Sequence, residues 1–235
     1  MLTHQLLDLF LLAGALVIMI LAWGSFCICS GFYVKAFCRA RTDKKLLSLT
    51  FDDGPHPDIT PMVLDLLRSH NIKAGFFLIG KNIEENRELV KRMVAEGHVI
   101  GNHSYAHTNN YGFLGTKKVV SDLEKNEALI ESIIGQKVRL FRPPFGVTNP
   151  NIGKAARLLD YSVVGWSIRS LDTIGKDPQK TIKRVIGRLK AGRVILLHDD
   201  REHIIPILKE VIEKSMAEGY EFVSPDELLN IKAYK

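Results

Sequence analysis

Thr50-Phe51-Asp52-Asp53-Gly54-Pro55-His56-Pro57 closes the apolar run Leu46-Leu47-Ser48-Leu49. The run reads as a β-strand that Gly54-Pro55 cannot continue, so the pattern delivers two adjacent carboxylates at a strand's C-terminal tip. Neighbours along a strand face opposite sides, but where the chain bends into a turn both can reach one site from different directions. Asp52 and Asp53 can then divide two roles, one carboxylate on a metal and the other free as a base. A solvated Asp-Asp-Gly turn is the plain alternative.

Beyond this strand, apolar runs alternate with helical patterns to the end of the chain. The strand-like runs are Leu46–Phe51, Gly75–Ile79, His98–Asn102, Val138–Phe141, Ser162–Ile168, Val194–Leu197 and Tyr220–Val223. Between them, apolar residues recur at three and four positions over about 60–70, 83–96, 116–134, 150–159, 178–190 and 203–218. Such alternation predicts an α/β fold with a mainly parallel sheet, open or closed into a barrel, whose site gathers at the C-terminal ends of its strands. No internal repeat, low-complexity tract or interdomain linker follows Lys45.

Upstream, Leu9–Val34 carries no charged side chain, enough to cross a bilayer core of about 30 Å at about 1.5 Å per residue. A cleaved signal peptide fits less well, because no Lys or Arg precedes the run and no small-residue cleavage site follows it. Residues 1–34 are therefore expected to hold a single transmembrane anchor, 35–45 to be a basic juxtamembrane linker and 46–235 to be a catalytic domain. Residues 1–45 carry five Lys or Arg against two Asp, half of the chain's net charge of +6. This excess is expected to meet anionic lipid headgroups, and no aromatic-interleaved basic stripe points to nucleic acid. By the positive-inside rule the flank favours a cytoplasmic domain. Cys27, Cys29 and Cys38 all lie in or beside the anchor, which leaves the soluble domain without a disulfide or a cysteine metal site and does not settle the compartment.

The other strand ends carry further chemistry. His103 and His107 are four apart, and on a helical turn their imidazoles would share one face and one metal ion. Added to a carboxylate they make a three-ligand set with a position open for water. His98 has no partner at that interval and reads as structural. In Phe141-Arg142-Pro143-Pro144-Phe145-Gly146, two prolines remove two backbone donors, so the first amide able to point into a site is that of Phe145, where it would suit an oxyanion. Arg142 either orients a free carboxylate or sits on the surface of a rigid connection. Trp166 reads as wall or core, or as the floor of a sugar site. Asp172 reads as the orienter of a histidine or as a solvated loop carboxylate. His198, ending Val194–Leu197, is positioned for general-acid work.

Taken in order, Thr50–Pro55, His103–His107, Arg142–Gly146, Trp166–Asp172 and Leu196–Asp199 resemble the five motifs of the polysaccharide deacetylase family, also called the NodB homology domain or carbohydrate esterase family 4. The resemblance covers residues 46–224 and implies a distorted (β/α) barrel of about seven strands. It implies that Asp53, His103 and His107 hold a divalent metal, usually zinc, with other divalent ions compatible. Asp52 would be the base, tethered by Arg142, and His198 the acid, tuned by Asp172. The Phe145 amide would help bind the oxyanion and Leu196 would line the acyl pocket. The fourth motif departs from the family: Arg169-Ser170-Leu171-Asp172-Thr173 stands where Asp-x-x-Asp-Trp is common, keeping the second Asp and replacing the first by Arg and the Trp by Thr.

The expected activity is metal-dependent removal of N-acetyl groups from an amino-sugar glycan, peptidoglycan or another polysaccharide. The resemblance places the catalytic domain outside the cytoplasm, against the charge pattern. A deformylase of a membrane lipid-linked amino sugar and a catalytically silent glycan-binding protein are the alternatives. No protein partner is predicted.

Overall fold

The alternation in β2 (Leu46–Asp52) sets the architecture. Leu47, Leu49 and Phe51 are fully buried and pack in one core with Val63, Leu64 and Leu67 of α2 (Ile59–Ser69) and Leu208 and Val211 of α8 (Ile204–Ala217). Ser48, Thr50 and Asp52, on the opposite face by the period of two, are buried too. A strand covered on both faces is what an all-parallel sheet requires. The structure is a computed structural model that describes residues 2–175 and 177–235, with their side chains apart from those of residues 2–4, 6 and 7.

Around β2 the sheet contains β1 (Ala36–Phe37), β3 (Gly75–Leu78), β4 (Val99–Asn102), β5 (Leu140–Phe141), β6 (Ser162–Val164), β7 (Ile168–Arg169), β8 (Arg193–His198) and β9 (Glu221–Phe222). The order is β1-β6-β5-β4-β3-β2-β8-β7, with β9 also on β2. Every pairing between these strands is parallel. All seven expected runs contain a strand. The run Ser162–Ile168 breaks into two at Gly165-Trp166-Ser167, and β1 arises within the stretch expected as a linker. Although β6 and β7 lie near opposite ends of the path, Val164 and Ile168 are only four residues apart, a reach of at most about 14 Å. The sheet therefore curls until its edges approach, giving a distorted barrel.

The crossovers are α2, α3 (Gly80–Glu85), α4 (Arg87–Ala95), α5 (Thr116–Ile134), α6 (Pro150–Leu158), α7 (Pro178–Ile186) and α8, with α9 (Pro225–Leu229) after β9. Local signals start two of them. Asn149 accepts from the Ile152 amide ahead of Pro150, and Asp177 accepts from the Gln179 amide ahead of Pro178, each a side-chain cap followed by a proline where no donor is needed.

The N-terminal helix α1 (Leu2–Phe26) is long and apolar enough to cross a membrane over Asp8–Phe26. Its end is tied to the barrel: the Thr148 amide donates to the Ser25 carbonyl at 2.9 Å and the Thr148 hydroxyl to that of Gly24 at 3.0 Å. Two sequence expectations change at this junction. Cys29 and Cys38 form a disulfide that fastens the segment after α1 to β1, although the sequence pattern gave the soluble domain none. The basic stretch 35–45 is folded onto the barrel: Arg39 bridges Arg193, Ala40 donates to Gly192, and the Lys45 ammonium donates to Glu218. These contacts sit at the start of β2 and β8, about 16 Å of strand away from their tips.

Candidate active site

Asp52 and Asp53 reach one site because Asp53 adopts a left-handed backbone conformation, φ 72°, which Asp tolerates better than most residues. Gly54 follows because a Cβ there would stand 2.5 Å from the Asp199 carboxylate. Asp199 is fully buried, accepts from the Thr60 hydroxyl, and is pushed up to about 7 by burial.

His103 leaves the end of β4, but the expected helical turn to His107 is not formed. Ser104 (φ 69°) and His107 (φ 44°) are both left-handed, and this irregular loop brings the two rings to 4.9 Å between centroids. Asp122 accepts the amides of Tyr105 and Ala106, while the Asn126 side chain donates to Leu78, Asn102 and Ser104. His103 Nδ1 lies 2.7 Å from the Arg142 carbonyl, so it carries the proton and Nε2 presents a lone pair. Nε2 of His103 and Nε2 of His107 each stand 3.4 Å from Asp53 Oδ1.

That oxygen is buried without a hydrogen-bond partner among the described residues, a condition proteins rarely tolerate. A divalent cation among Asp53, His103 and His107, whose ligating atoms lie within 4.8 Å of one another, would satisfy it. Two imidazoles and a carboxylate suit zinc. Burial, reinforced by His103, lowers His107 to about 4, so its nitrogen is unprotonated at neutral pH. Burial disfavours charge on Asp53 and on His103, but their mutual pairing outweighs it, lowering Asp53 and, with Asp52, raising His103. A metal on Nε2 would displace the second proton that this raised pKa favours, leaving the Nδ1 proton on the Arg142 carbonyl. His98 keeps away: it is buried, accepts from the Ala74 amide at 3.1 Å, and burial lowers it to about 4.

Arg142 is fully buried in the barrel rather than on its surface. Its Nη1 donates to Asp52 Oδ1 at 2.7 Å and to the Thr50 hydroxyl at 3.0 Å. Nε and Nη2 donate to the carbonyls of Val164 and Gly165, both at 3.0 Å, and the guanidinium lies 4.1 Å from the centre of the Phe77 ring. Asp52 Oδ2 is left 3.8 Å from His103 Nε2. Across the site, His198 Nδ1 bonds Asp172 Oδ1 at 2.9 Å, and the His198 amide donates to Asp172 Oδ2 at 2.8 Å. Burial pulls the His198 pKa down, but Asp172, aided by Asp52 and Asp53, raises it to about 9.

A cavity of about 240 Å³ joins these groups, walled by Phe145, Trp166 and Leu196 and rimmed by Arg169, Thr173 and Arg201. Phe145 is left-handed at φ 59°, and its amide has no protein partner among the described residues. Trp166 packs on Gly146, where a Cβ would stand 2.2 Å from the indole. Every sequence-named site residue thus borders one cavity or supports a group that does. The sequence reading missed Ser170, whose hydroxyl donates to Asp172 Oδ1 at 2.7 Å, and the loop anchors Asp122 and Asn126. A Ser two before the Asp was a readable signal for the first; the anchors lie on α5 with nothing local to mark them.

Residues 39–164 match the family model described as polysaccharide deacetylase. The chain is 35% identical over 195 residues to a peptidoglycan-N-acetylglucosamine deacetylase of Bacillus cereus, covering 81% of this chain and 91% of that one. It is 34% identical to a peptidoglycan-N-acetylglucosamine deacetylase of Listeria monocytogenes, covering 83% of this chain and 41% of that longer protein. A crystal structure of a peptidoglycan N-acetylglucosamine deacetylase superposes with a TM-score of 0.80 at 31% identity, over 84% of this chain and 94% of the other. With five motifs converging on one cavity and relatives of this similarity, the chain belongs to the polysaccharide deacetylase family.

Proposed function

We propose that this protein is a metal-dependent deacetylase that hydrolyses the N-acetyl groups of peptidoglycan amino sugars, N-acetylglucosamine first. The observation that carries the reading is the Asp53–His103–His107 cluster with Asp52 and His198 bordering the same cavity. Asp53, His103 and His107 would hold a divalent cation, which supplies Lewis acidity toward the acetyl carbonyl and lowers the pKa of water. Asp52, oriented by Arg142, takes a proton from the attacking water. The Phe145 amide donates to the oxyanion that develops on the carbonyl oxygen. His198, with Nδ1 engaged by Asp172, passes the Nε2 proton to the departing amine, leaving acetate and a free amino sugar. The names of the Bacillus cereus and Listeria monocytogenes relatives favour neither the deformylase nor the silent binding protein.

The test is acetate release from N-acetylglucosamine oligomers and from peptidoglycan by the detergent-solubilised chain. We expect acetate without formate, loss of activity on chelation and recovery on adding zinc. No acetate from either substrate with one metal bound per chain would reject the reading.

His198 sets the expected pH dependence. As the acid it must be protonated, so kcat/KM falls as pH rises through its pKa, about 9 in the metal-free protein. A divalent cation on Asp53 adds positive charge nearby and brings the limb below that value. In Asp172→Asn the raising partner is gone while burial remains, so the limb moves further down, toward or below the ordinary histidine value of about 6.5. A pH–rate profile with an unmoved alkaline limb in Asp172→Asn would exclude this role.

The reading includes α1 as a membrane anchor with the catalytic domain outside the cytoplasm. The Cys29–Cys38 disulfide belongs to an oxidising compartment. The stretch behind the positive-inside signal is folded onto the far end of the barrel, with Arg39 in a backbone bridge to Arg193 and the Lys45 ammonium on the Glu218 carbonyl, rather than running as a free flanking segment. Alkaline phosphatase fused after Lys235 is expected to be active in cells; a fusion active only with a cytoplasmic reporter would reverse the assignment.

A further inference from the structure

Beside the catalytic cavity lies a second, larger one of about 740 Å³ with almost wholly apolar walls. Ile18, Leu21 and Phe26 of α1 form one side, and Phe113, Phe145 and Val147 of the barrel loops the other. Phe145 is common to both cavities, and its ring lies 4.7 Å from that of His107. The trough therefore runs to within one side chain of the candidate metal ligands.

The position of this trough along α1 is informative. From Ile18 to Phe26 is eight residues, about 12 Å of helix. The apolar span Asp8–Phe26 is about 28 Å long, close to a hydrocarbon core of about 30 Å. A loop packed alongside Ile18 and Leu21 cannot stay outside a bilayer that this span crosses. Phe113 is 92% exposed and Phe145 49% exposed, an apolar rim left uncovered among the described residues. Trp23, Phe26 and Phe32 are also exposed around the helix exit, where aromatic side chains gather at membrane interfaces. Lys117 and Lys118, exposed in the first turn after Phe113, are suited to lipid phosphates.

We propose that the Phe113–Phe145 rim inserts into the membrane beside α1, so that hydrocarbon chains of bilayer lipids fill the trough and the catalytic mouth is held at headgroup level. The inference rests on the reading of α1 as a membrane anchor. It confines the enzyme to N-acetylated glycan within reach of the membrane surface, since the catalytic cavity shares Phe145 with the inserted rim.

The test is spin-label accessibility in the full chain, reconstituted in phosphatidylethanolamine–phosphatidylglycerol vesicles with the Cys29–Cys38 disulfide intact. Nitroxides are attached at Phe113→Cys, Leu12→Cys or Lys190→Cys, each in a Cys27→Ser background. All three positions are exposed, so labelling should leave the fold intact, and retained acetate release checks it. Oxygen concentrates in lipid and a charged nickel chelate in water. We expect position 113 to match position 12, with a severalfold higher oxygen-to-nickel collision ratio than position 190. Nickel access at 113 equal to that at 190, with position 12 still in lipid, overturns the rim while sparing the anchor. Protection of 113 from both reagents overturns it in favour of a second copy or another protein as the occupant. Nickel access at 12 rejects the anchor itself.

Discussion

Asp52→Asn is expected to lower kcat by roughly 10²–10⁴-fold, the usual contribution of a positioned general base, while metal content stays unchanged. The two carboxylates are separable because the left-handed backbone at Asp53 sends its Oδ1 toward both histidines, whereas Asp52 Oδ1 is engaged by Arg142 at 2.7 Å. The amide keeps the volume of the side chain and an acceptor for Arg142 but cannot take the proton. Parallel measurements of acetate release and of bound zinc check both halves. A variant that loses zinc would make Asp52 a ligand, and one that keeps full turnover would remove it from the reaction.

Arg142→Met is expected to destabilise the fold by about 3–5 kcal/mol, the cost of leaving one partner of a buried ion pair behind. Against a typical total of about 5–15 kcal/mol this is severe. The guanidinium anchors Thr50, Asp52, Val164 and Gly165 with four hydrogen bonds from one buried group, so its loss frees two carbonyls as well as the carboxylate. Arg142→Lys should recover little, because a single ammonium cannot reproduce the planar fork that spans β2 and the β6 exit. Urea unfolding measures the loss. The double variant Arg142→Met with Asp52→Asn should be less destabilised than the sum of the single changes, since the unpaired buried charge is gone. Strict additivity would mean that the pair does not interact.

Much of this site was legible before any coordinates. The strand ends that carry Asp52-Asp53, His103, Arg142 and His198 are marked by apolar runs stopping at Gly, Pro or charged residues, and the hydrophobic period identifies such ends. What stayed hidden depends on contacts between segments distant in sequence. The sequence spacing of His103 and His107 suits a helix, yet Asp122 and Asn126 on α5 hold the loop in a different shape with the rings still adjacent. The stretch 35–45 has the composition of a solvated basic linker, but β6 and β8 offer it edges to pair with.

The sequence by itself determined the kind of fold, the residues proposed as ligands and acid–base groups, and the presence of an apolar helix ahead of the barrel, because periodicity and residue chemistry are local properties. Only the tertiary structure decided that Asp53 Oδ1 faces two imidazoles, that Arg142 is an interior cation, that Cys29 meets Cys38, and that α1 borders an apolar trough with the loops of Phe113 and Phe145. Each of these joins residues from separate segments, and such contacts depend on how the sheet curls and the chain crosses over it.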